Sequence, residues 1–293
     1  MATTVLVTAP TGNIGSQIVR LLLARGGTSV RVLARDPGKL PADVRARADV
    51  RPGSHLDAAT ARDAAAGADV VFWLTPPAIV DDQAAYHARA ADVATAAARA
   101  AGRVVNLSSE YADQPGMGLI THLGSIEPAV AATAVDVVHL RPGNFMENFL
   151  AQLDGIRGGA YALPVPATAS TAFVATADIA AAAADWLTRT DWTGRHVHGV
   201  AGPERLSYAR AVEVIADELV RPVKYVEVPP AAFRSKLLAD GLPPGFVDGY
   251  AEMMAGLTAR WAADRDLGYP MTVGRTDLRQ FARHVIVPAA KGA

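Results

Sequence analysis

Cysteine is absent from the 293 residues of the chain, which excludes disulfide bridges, thiolate nucleophiles and zinc sites with cysteine ligands. An excess of charge is also absent, because 28 basic residues stand against 29 acidic ones. We therefore expect no attraction to nucleic acid or to an anionic membrane surface. The partner that this composition favours is a small-molecule substrate.

Long apolar runs are missing as well. Charged residues interrupt even the alanine-rich stretches before they reach the length of a membrane span. The first ten residues contain neither a basic leader nor the apolar core of a signal peptide. We therefore expect a cytoplasmic protein that does not enter a membrane. The oligomeric state does not follow from the sequence, and a homodimer is compatible with it.

The first half of the chain alternates β-branched runs with helical runs rich in alanine and leucine, which is typical of βαβ units around a parallel sheet. The strands are nearly continuous in apolar residues and therefore indicate a sheet covered on both faces. This pattern predicts an α/β fold with a Rossmann-type doubly wound parallel sheet. The predicted strands are 3–9, 29–35, 48–53, 69–75, 103–109 and 135–141, and the predicted helices are 13–25, 57–66, 81–101 and 121–132.

The regularity ends after Arg141. We predict a helix over 143–153, a loop or hairpin over 158–170, and then a helix over 177–189 and a strand over 195–200 that return to the sheet. An amphipathic helix, a strand and short helices follow. This divides the chain into a Rossmann domain, 1–153 with 175–200, and a smaller, mostly helical substrate lobe, 154–174 with 201–293, at the carboxyl ends of the strands.

The segment TAPTGNIG, residues 8–15, lies between a predicted strand and a predicted helix, as a dinucleotide-binding turn does. Gly12 and Gly15 have the spacing of such a turn, whereas Ala9 occupies the position of its first glycine. The N–H groups at the start of the helix would bind a pyrophosphate. We expect the methyl group of Ala9 to be tolerated through a negative φ. A tight turn without a ligand is the alternative.

The end of the second predicted strand indicates which cofactor binds. Arg35 follows Gly15 by twenty residues, and an arginine there accommodates the 2′-phosphate of NADPH, whereas NADH usually meets an acidic residue. Asp36 is the alternative ribose ligand, but Asp-Pro-Gly is a turn signal and we expect Asp36 to start that turn. Asp57 contacts the adenine or caps the next helix. The prolines of LTPP, residues 74–77, prevent helical continuation beside the nicotinamide ribose.

The segments VTAPTGNIG, VLARDP, FWLTPP, VVNLSS and HLRPGNFMEN, in this order and spacing, resemble the NmrA-like branch of the atypical short-chain dehydrogenase/reductases. That branch includes NAD(P)H-dependent quinone oxidoreductases, triphenylmethane reductases and redox-sensing regulators. The resemblance covers most of residues 3–285. It implies an NADPH-dependent oxidoreductase or, alternatively, a catalytically idle NADP(H)-binding sensor that acts through a protein partner. A nucleotide-sugar epimerase is a more distant alternative.

The resemblance also implies positions that would contact the cofactor. They are Ala9, Thr11, Gly12, Asn13 and Ile14 at the pyrophosphate, Arg35 at the 2′-phosphate, Leu56 and Asp57 at the adenine, Thr75 and Pro76 at the ribose, Pro142, Asn144 and Phe145 on the nicotinamide side, and Ser108 at the end of the fifth strand. Ser108 stands where related dehydrogenases often have a catalytic serine.

The proton relay of short-chain dehydrogenases is missing, because none of the seven tyrosines has a lysine four residues later. Leu123 stands where NmrA-like chains commonly hold Lys or His. Hydride transfer to a quinone, an imine or an activated carbonyl needs little acid assistance. Tyr111, His122 and Ser108 are the candidate proton donors. Alternatively, Tyr111 covers the pocket, His122 is a solvated helix-start residue, and Ser108 bonds to backbone or ribose.

Three further features of the sequence are weaker indications of a site. His196 and His198 share a strand face, but no cysteine or carboxylate cluster accompanies them, and we predict no metal. Phe145 faces the substrate or belongs to the core. The aromatic and methionine residues of 246–257 follow helical spacing, which favours packing over a ligand lid.

Overall fold

The computed structural model describes residues 2–133, 135–263 and 267–292. Within these ranges, eight strands form one parallel sheet in the order β12-β9-β6-β5-β4-β1-β2-β3, and two short two-stranded sheets join β10 to β8 and β11 to β7. The strands are β1 (Thr3–Thr8), β2 (Thr28–Ala34), β3 (Asp49–Pro52), β4 (Val70–Leu74), β5 (Arg103–Leu107), β6 (Asp136–Pro142), β7 (Ala160–Leu163), β8 (Ser170–Thr171), β9 (Arg195–Ala201), β10 (Leu206–Ser207), β11 (Lys224–Glu227) and β12 (Met271–Val273).

The main sheet reverses its winding at β1. Val5 of β1 pairs with Val30 of β2 on one side and with Val70 of β4 on the other. In a doubly wound sheet, the crevice at this switch point, outside the carboxyl ends of the strands, is the usual ligand site. The predicted α/β fold with a Rossmann-type doubly wound sheet is confirmed.

Helices cover both faces of the main sheet, as the apolar strands predict. One face packs against α1 and α8, and the other against α3, α4 and α6. In the part of the chain that is described, no helix is both long and apolar enough to cross a membrane. The helices are α1 (Asn13–Arg25), α2 (Ala42–Arg47), α3 (Ala58–Ala65), α4 (Gln83–Ala101), α5 (Leu119–Gly124), α6 (Ile126–Ala131), α7 (Leu153–Arg157), α8 (Thr176–Thr188), α9 (Tyr208–Leu219), α10 (Pro230–Ala239), α11 (Pro244–Ala263), α12 (Leu278–Phe281) and α13 (Val287–Lys291).

A smaller region beside the sheet has a core of its own. Phe149, Tyr161, Phe173 and Tyr208 pack there as neighbouring aromatic rings, with centroids 5.0 to 5.3 Å apart in successive pairs. Helices α9, α11 and α12 contribute the surrounding apolar side chains. The predicted C-terminal region with helices is therefore present.

Three local features differ from the predictions. Strand β12 lies within the range assigned to the smaller lobe, but it pairs with β9 and extends the main sheet; three half-exposed residues carry too little apolar pattern to predict it. The helix expected over 143–153 is a 3-10 helix over Met146–Gln152 followed by α7. The helix expected over 121–132 is divided into α5 and α6, since Pro128 has no N–H to donate to the preceding turn.

Candidate functional site

The turn between β1 and α1 forms one wall of a cleft of about 680 Å³ at the switch point of the sheet. Gly12 is the N-cap of α1 and makes no side-chain capping bond, so the first N–H groups of this helix lack an intrahelical partner. A Cβ on Gly15 would lie 2.2 Å from the carbonyl oxygen of Ala9. Glycine is therefore required for the close approach of α1 to β1, which aims the helix start into the cleft.

Ala9 differs from the expectation, because its φ is +49° and not negative. The premise that its methyl group sits in an unstrained conformation is wrong: the turn needs the left-handed backbone that glycine adopts freely. Its carbonyl oxygen accepts a hydrogen bond from the N–H of Gly12, at 3.0 Å. This bond closes the turn and holds Ala9 in place.

The far end of the cleft is lined by charged residues of both signs. Arg35, directly after β2, is exposed there, and Asp36 and Lys39 line the same cleft. Asp36 starts the turn as predicted, since its carboxylate accepts a hydrogen bond from the N–H of Gly38 at 2.9 Å. His55 is buried and lines the same cleft, and its burial, with the charge of Arg35, lowers its pKa. Two cations and one carboxylate therefore lie at this end of the cleft.

The two predicted adenine residues lie outside the cleft lining. Asp57 caps α3 by accepting a hydrogen bond from the N–H of Thr60 at 2.7 Å, and hydrogen bonding to the side chain and the N–H of Thr60 lowers the pKa of Asp57. Leu56 packs against the core on the α3 side of the sheet. The capping role is therefore observed, and the adenine contact stays a prediction. Gly53 and His55, which sequence reasoning missed, line the cleft at this level.

The segment after β4 forms the opposite side of the cleft. The N–H of the Trp73 indole donates to the hydroxyl of Thr75 at 3.1 Å, and the hydroxyl of Tyr86 donates to the carbonyl of Pro76 at 2.7 Å. Pro76 and Pro77 line the cleft. The segment with the two prolines is thus not helical, and side chains from β4 and α4 hold it beside the cleft.

On the nicotinamide side, the structure separates the predicted residues. Phe145 lines the cleft, as do Asn148 and Thr176. Asn144 points elsewhere, because its amide donates to the hydroxyl of Tyr208 at 2.6 Å. Pro142 is buried at the end of β6. Of the residues expected here, Phe145 is therefore the one that lines the cleft, and its contact with a cofactor stays a prediction.

A second pocket of about 350 Å³ lies next to the cleft, because both are lined by Ile14, Leu74, Pro77 and Phe145. This second pocket is called the apolar pocket below. Most of its remaining lining comes from α4, α5 and α11 and is apolar or aromatic. Phe246, Tyr250 and Met253 belong to it, so the segment 246–257 contributes to a ligand pocket as well as to packing.

Ser108 is the polar group that stands out in the apolar pocket. Its side chain is buried, and its Oγ has no hydrogen-bond partner among the described residues. An unpartnered buried hydroxyl costs free energy unless a ligand supplies the partner. Leu123 also lines this pocket. The position where relatives commonly hold an ionisable residue is therefore apolar in this chain.

Two histidines lie beside this pocket. His87, which sequence reasoning missed, lines it and is buried. Its Nδ1 is 2.8 Å from the carbonyl oxygen of Gln83 and its ring stacks on that of His122, with centroids 5.9 Å apart. Burial lowers the pKa of His87. His122 is thus half-buried behind His87, and it is not among the residues that line the pocket.

The other sequence-based candidates lie away from the apolar pocket. Tyr111 lines a separate pocket of about 180 Å³ with Glu110 and Arg205, so the structure does not bring it to Ser108. His196 contacts the carbonyl oxygen of Thr193, and His198 contacts the hydroxyl of Thr272, each at 2.8 Å. Within the described ranges, no group of three His, Cys, Asp or Glu side chains is arranged to hold a metal.

Comparison with known proteins agrees with this geometry. The model of the NmrA-like family matches residues 1–264. The chain is 33% identical over 245 residues, 82% of each chain, to a (4-alkanoyl-5-oxo-2,5-dihydrofuran-3-yl)methyl phosphate reductase of Streptomyces griseus. It is 29% identical over 255 residues, 86% of each chain, to an NAD(P)H azoreductase of Xenophilus azovorans. The NADPH complex of the Escherichia coli NADPH-dependent quinone oxidoreductase has the same fold, with a TM-score of 0.79 at 24% identity over 96% of this chain and 99% of that one.

Proposed function

Because the chain belongs to the NmrA-like family, we propose that it is an NADPH-dependent reductase that transfers hydride to a small carbonyl, quinone or imine. The observation that carries this proposal is the adjacency of the two cavities: a cleft with a helix N-terminus and two cations shares four lining residues with an apolar pocket. A dinucleotide bound along the cleft would end where the apolar pocket begins. The relatives named above reduce different compounds, so their names do not define the acceptor.

The chain's own residues account for binding and orientation. The N-terminus of α1 would bind the pyrophosphate, because its N–H groups and dipole favour an anion. Arg35 and Lys39 would bind the 2′-phosphate, which NADH lacks, and they support the preference for NADPH. Phe145 and Pro77 flank the junction of the two cavities and would hold the nicotinamide ring there.

When bound, NADPH supplies the hydride. The apolar lining excludes water from the reacting atoms, and the walls on both sides fix their relative position. The acceptor must also gain one proton. The hydroxyl of Ser108, which lines the pocket, would donate a hydrogen bond to the oxygen or nitrogen that takes up negative charge, and no tyrosine and lysine pair is found among the described lining residues. Ser108 is therefore the proposed acid or hydrogen-bond donor.

A catalytically idle NADP(H)-binding sensor is the second candidate. It is favoured by Leu123, which puts an apolar side chain in the pocket where relatives commonly hold an ionisable one. Titrating NADPH and NADP⁺ by fluorescence, and then following NADPH oxidation with quinones, triarylmethane dyes and aromatic ketones, separates the two. We expect turnover with at least one acceptor class. Tight cofactor binding without turnover on any acceptor would favour the sensor.

Substitution of Arg35 tests the cofactor preference. We expect Arg35→Ala to weaken NADPH binding by about 10- to 100-fold, the usual loss of a charge-assisted hydrogen bond, and to leave NADH binding nearly unchanged. Dissociation constants for both cofactors measure this. Arg20→Ala is the matched control, since Arg20 is exposed on α1 and lines neither cavity. An equal loss for both cofactors would contradict the assignment of the 2′-phosphate.

A further inference from the structure

The apolar pocket contains no charged partner for a substrate. Among the described residues that line it, none is a lysine, arginine, aspartate or glutamate. The polar members of the lining are Thr75, Gln83, His87, Ser108 and Tyr250. At neutral pH, each of these side chains is an uncharged hydrogen-bonding group.

Gln83 and His87 have little to offer a negative group. The side-chain amide of Gln83 donates to the carbonyl oxygens of Ala78 and Val80, at 2.8 and 2.9 Å. A carbonyl oxygen only accepts, so the Nδ1 of His87 bonded to Gln83 carries the proton. In the neutral ring, the other nitrogen is then an acceptor, which repels an anion. The titratable groups around His87 are Tyr86 on its own helix, His122 on α5 and Tyr250 on α11.

The cations of the site lie elsewhere. Arg35 and Lys39 line the cleft and do not line the apolar pocket. Transfer of an anion from water into apolar surroundings without a partner costs several kcal/mol. One buried hydroxyl, that of Ser108, matches one neutral oxygen or nitrogen of a ligand.

We propose that the apolar pocket selects uncharged hydride acceptors and excludes acceptors that carry a sulfonate, phosphate or carboxylate next to the reacting ring. This inference rests on the proposed function for the meaning of "acceptor", but it concerns binding and can be measured without turnover. The selection arises because no charged side chain lines the pocket in the described part of the chain. It predicts that an anionic substituent weakens binding of an otherwise similar acceptor.

Two naphthoquinones test the inference, namely 2-methyl-1,4-naphthoquinone and 1,4-naphthoquinone-2-sulfonate. The sulfonate withdraws electrons, so it makes the ring a better hydride acceptor, and weaker reaction with it reports binding. With the NADP⁺-loaded protein, we expect calorimetry to give a dissociation constant at least about 100-fold higher for the sulfonate. With NADPH, kcat/KM should fall by a smaller factor, because the greater reactivity of the sulfonated ring offsets part of the loss of binding. Equal affinities for the two quinones would overturn the inference.

Added charge provides the reciprocal test. Ala78 lines the pocket from a half-buried loop position, and Ala78→Lys should improve sulfonate binding by about 10-fold while weakening binding of the methyl compound. Leu123→Lys is a second variant with the same expected direction. Ala24→Lys, at an exposed position of α1 that lines neither cavity, should leave both affinities unchanged. Improvement in all three variants would contradict a local charge effect.

The outcomes for the two proposals are distinct. Weaker binding of the sulfonate than of the methyl quinone, without turnover of any acceptor class, supports the selection by charge and contradicts the reductase. Turnover of both quinones with equal dissociation constants supports the reductase and contradicts the selection. Binding of neither quinone to the NADP⁺-loaded protein contradicts the selection, and turnover of the other acceptor classes then decides on the reductase.

Discussion

Ala9 adopts an unfavourable backbone conformation at the centre of the cofactor turn. Its φ of +49° lies in the left-handed region, which costs an L-residue other than Gly, Asn or Asp about 1–2 kcal/mol. The carbonyl of Ala9 must nevertheless face both Gly12 and Gly15, because it accepts the N–H of one and lies within van der Waals reach of the other. The turn therefore holds Ala9 in a left-handed conformation that alanine does not favour.

We expect Ala9→Gly to raise the free energy of unfolding by about 0.5–1 kcal/mol, because relief of the left-handed strain exceeds the added entropy of glycine in the unfolded chain. Urea denaturation without cofactor measures this. Ala88→Gly, at an exposed interior position of α4, is the matched control and should lose about 1 kcal/mol. Destabilisation by both substitutions would show that Ala9 is not strained.

The sequence predicts the position of this turn but not the backbone conformation of Ala9. The spacing of Gly12 and Gly15 between a strand and a helix depends on local patterns, which are visible in the sequence. The sign of φ at Ala9 depends on where Gly15 presses α1 against the turn, which is a tertiary contact. For the same reason the sequence does not indicate His87: its helix is predicted, but the pocket it lines is assembled from six other segments.

Helix α9 ends at Val220, a β-branched residue in a backbone conformation that is unfavourable for it. Val220 is the C-cap, with φ of 52° and ψ of 42°, and it is 90% exposed. The N–H of the next residue, Arg221, bonds back to the carbonyl of Ala216, as in a glycine-terminated helix. A β-branched side chain in this conformation is strained, and no apolar burial compensates it.

We expect Val220→Gly to raise the free energy of unfolding by about 1 kcal/mol. Val220→Ala keeps a Cβ and should gain less, which makes it the matched comparison for the backbone effect. Thermal and urea unfolding of the three proteins measure the order. If alanine stabilised as much as glycine, removal of an exposed apolar side chain would explain the gain and left-handed strain would not.

At the scale of the whole molecule, the sheet follows from the sequence because each of its central strands is buried on both faces. Strands β1, β4 and β5 are short and mostly apolar, so their pattern is recognisable without tertiary information. The smaller region lacks such a pattern. Strand β12 joins the sheet by pairing with β9, and its three residues are too few and too exposed to give a recognisable pattern.

Buried histidines make the stability of the whole molecule dependent on pH. Burial lowers the pKa of His55, His87 and His139 below the ordinary value near 6.5. The unfolded chain therefore binds protons first as pH falls through 6.5, and the free energy of unfolding decreases down to the folded pKa values. Burial raises the pKa of Glu110 and Glu147, which opposes this loss as these carboxyls take up protons above their ordinary pKa.

A variant isolates the histidine contribution from that of the carboxyls. Between pH 7.5 and 5.5, each buried histidine that stays neutral lowers the free energy of unfolding by up to about 1.4 kcal/mol. We expect His87→Gln to lose less stability over this interval than the unmodified protein, by up to that amount. His284→Gln, which changes an exposed histidine, is the matched control. Urea denaturation at three pH values measures the difference, and parallel pH curves for His87→Gln and the unmodified protein would mean that His87 accepts a proton as readily inside the fold as in the unfolded chain.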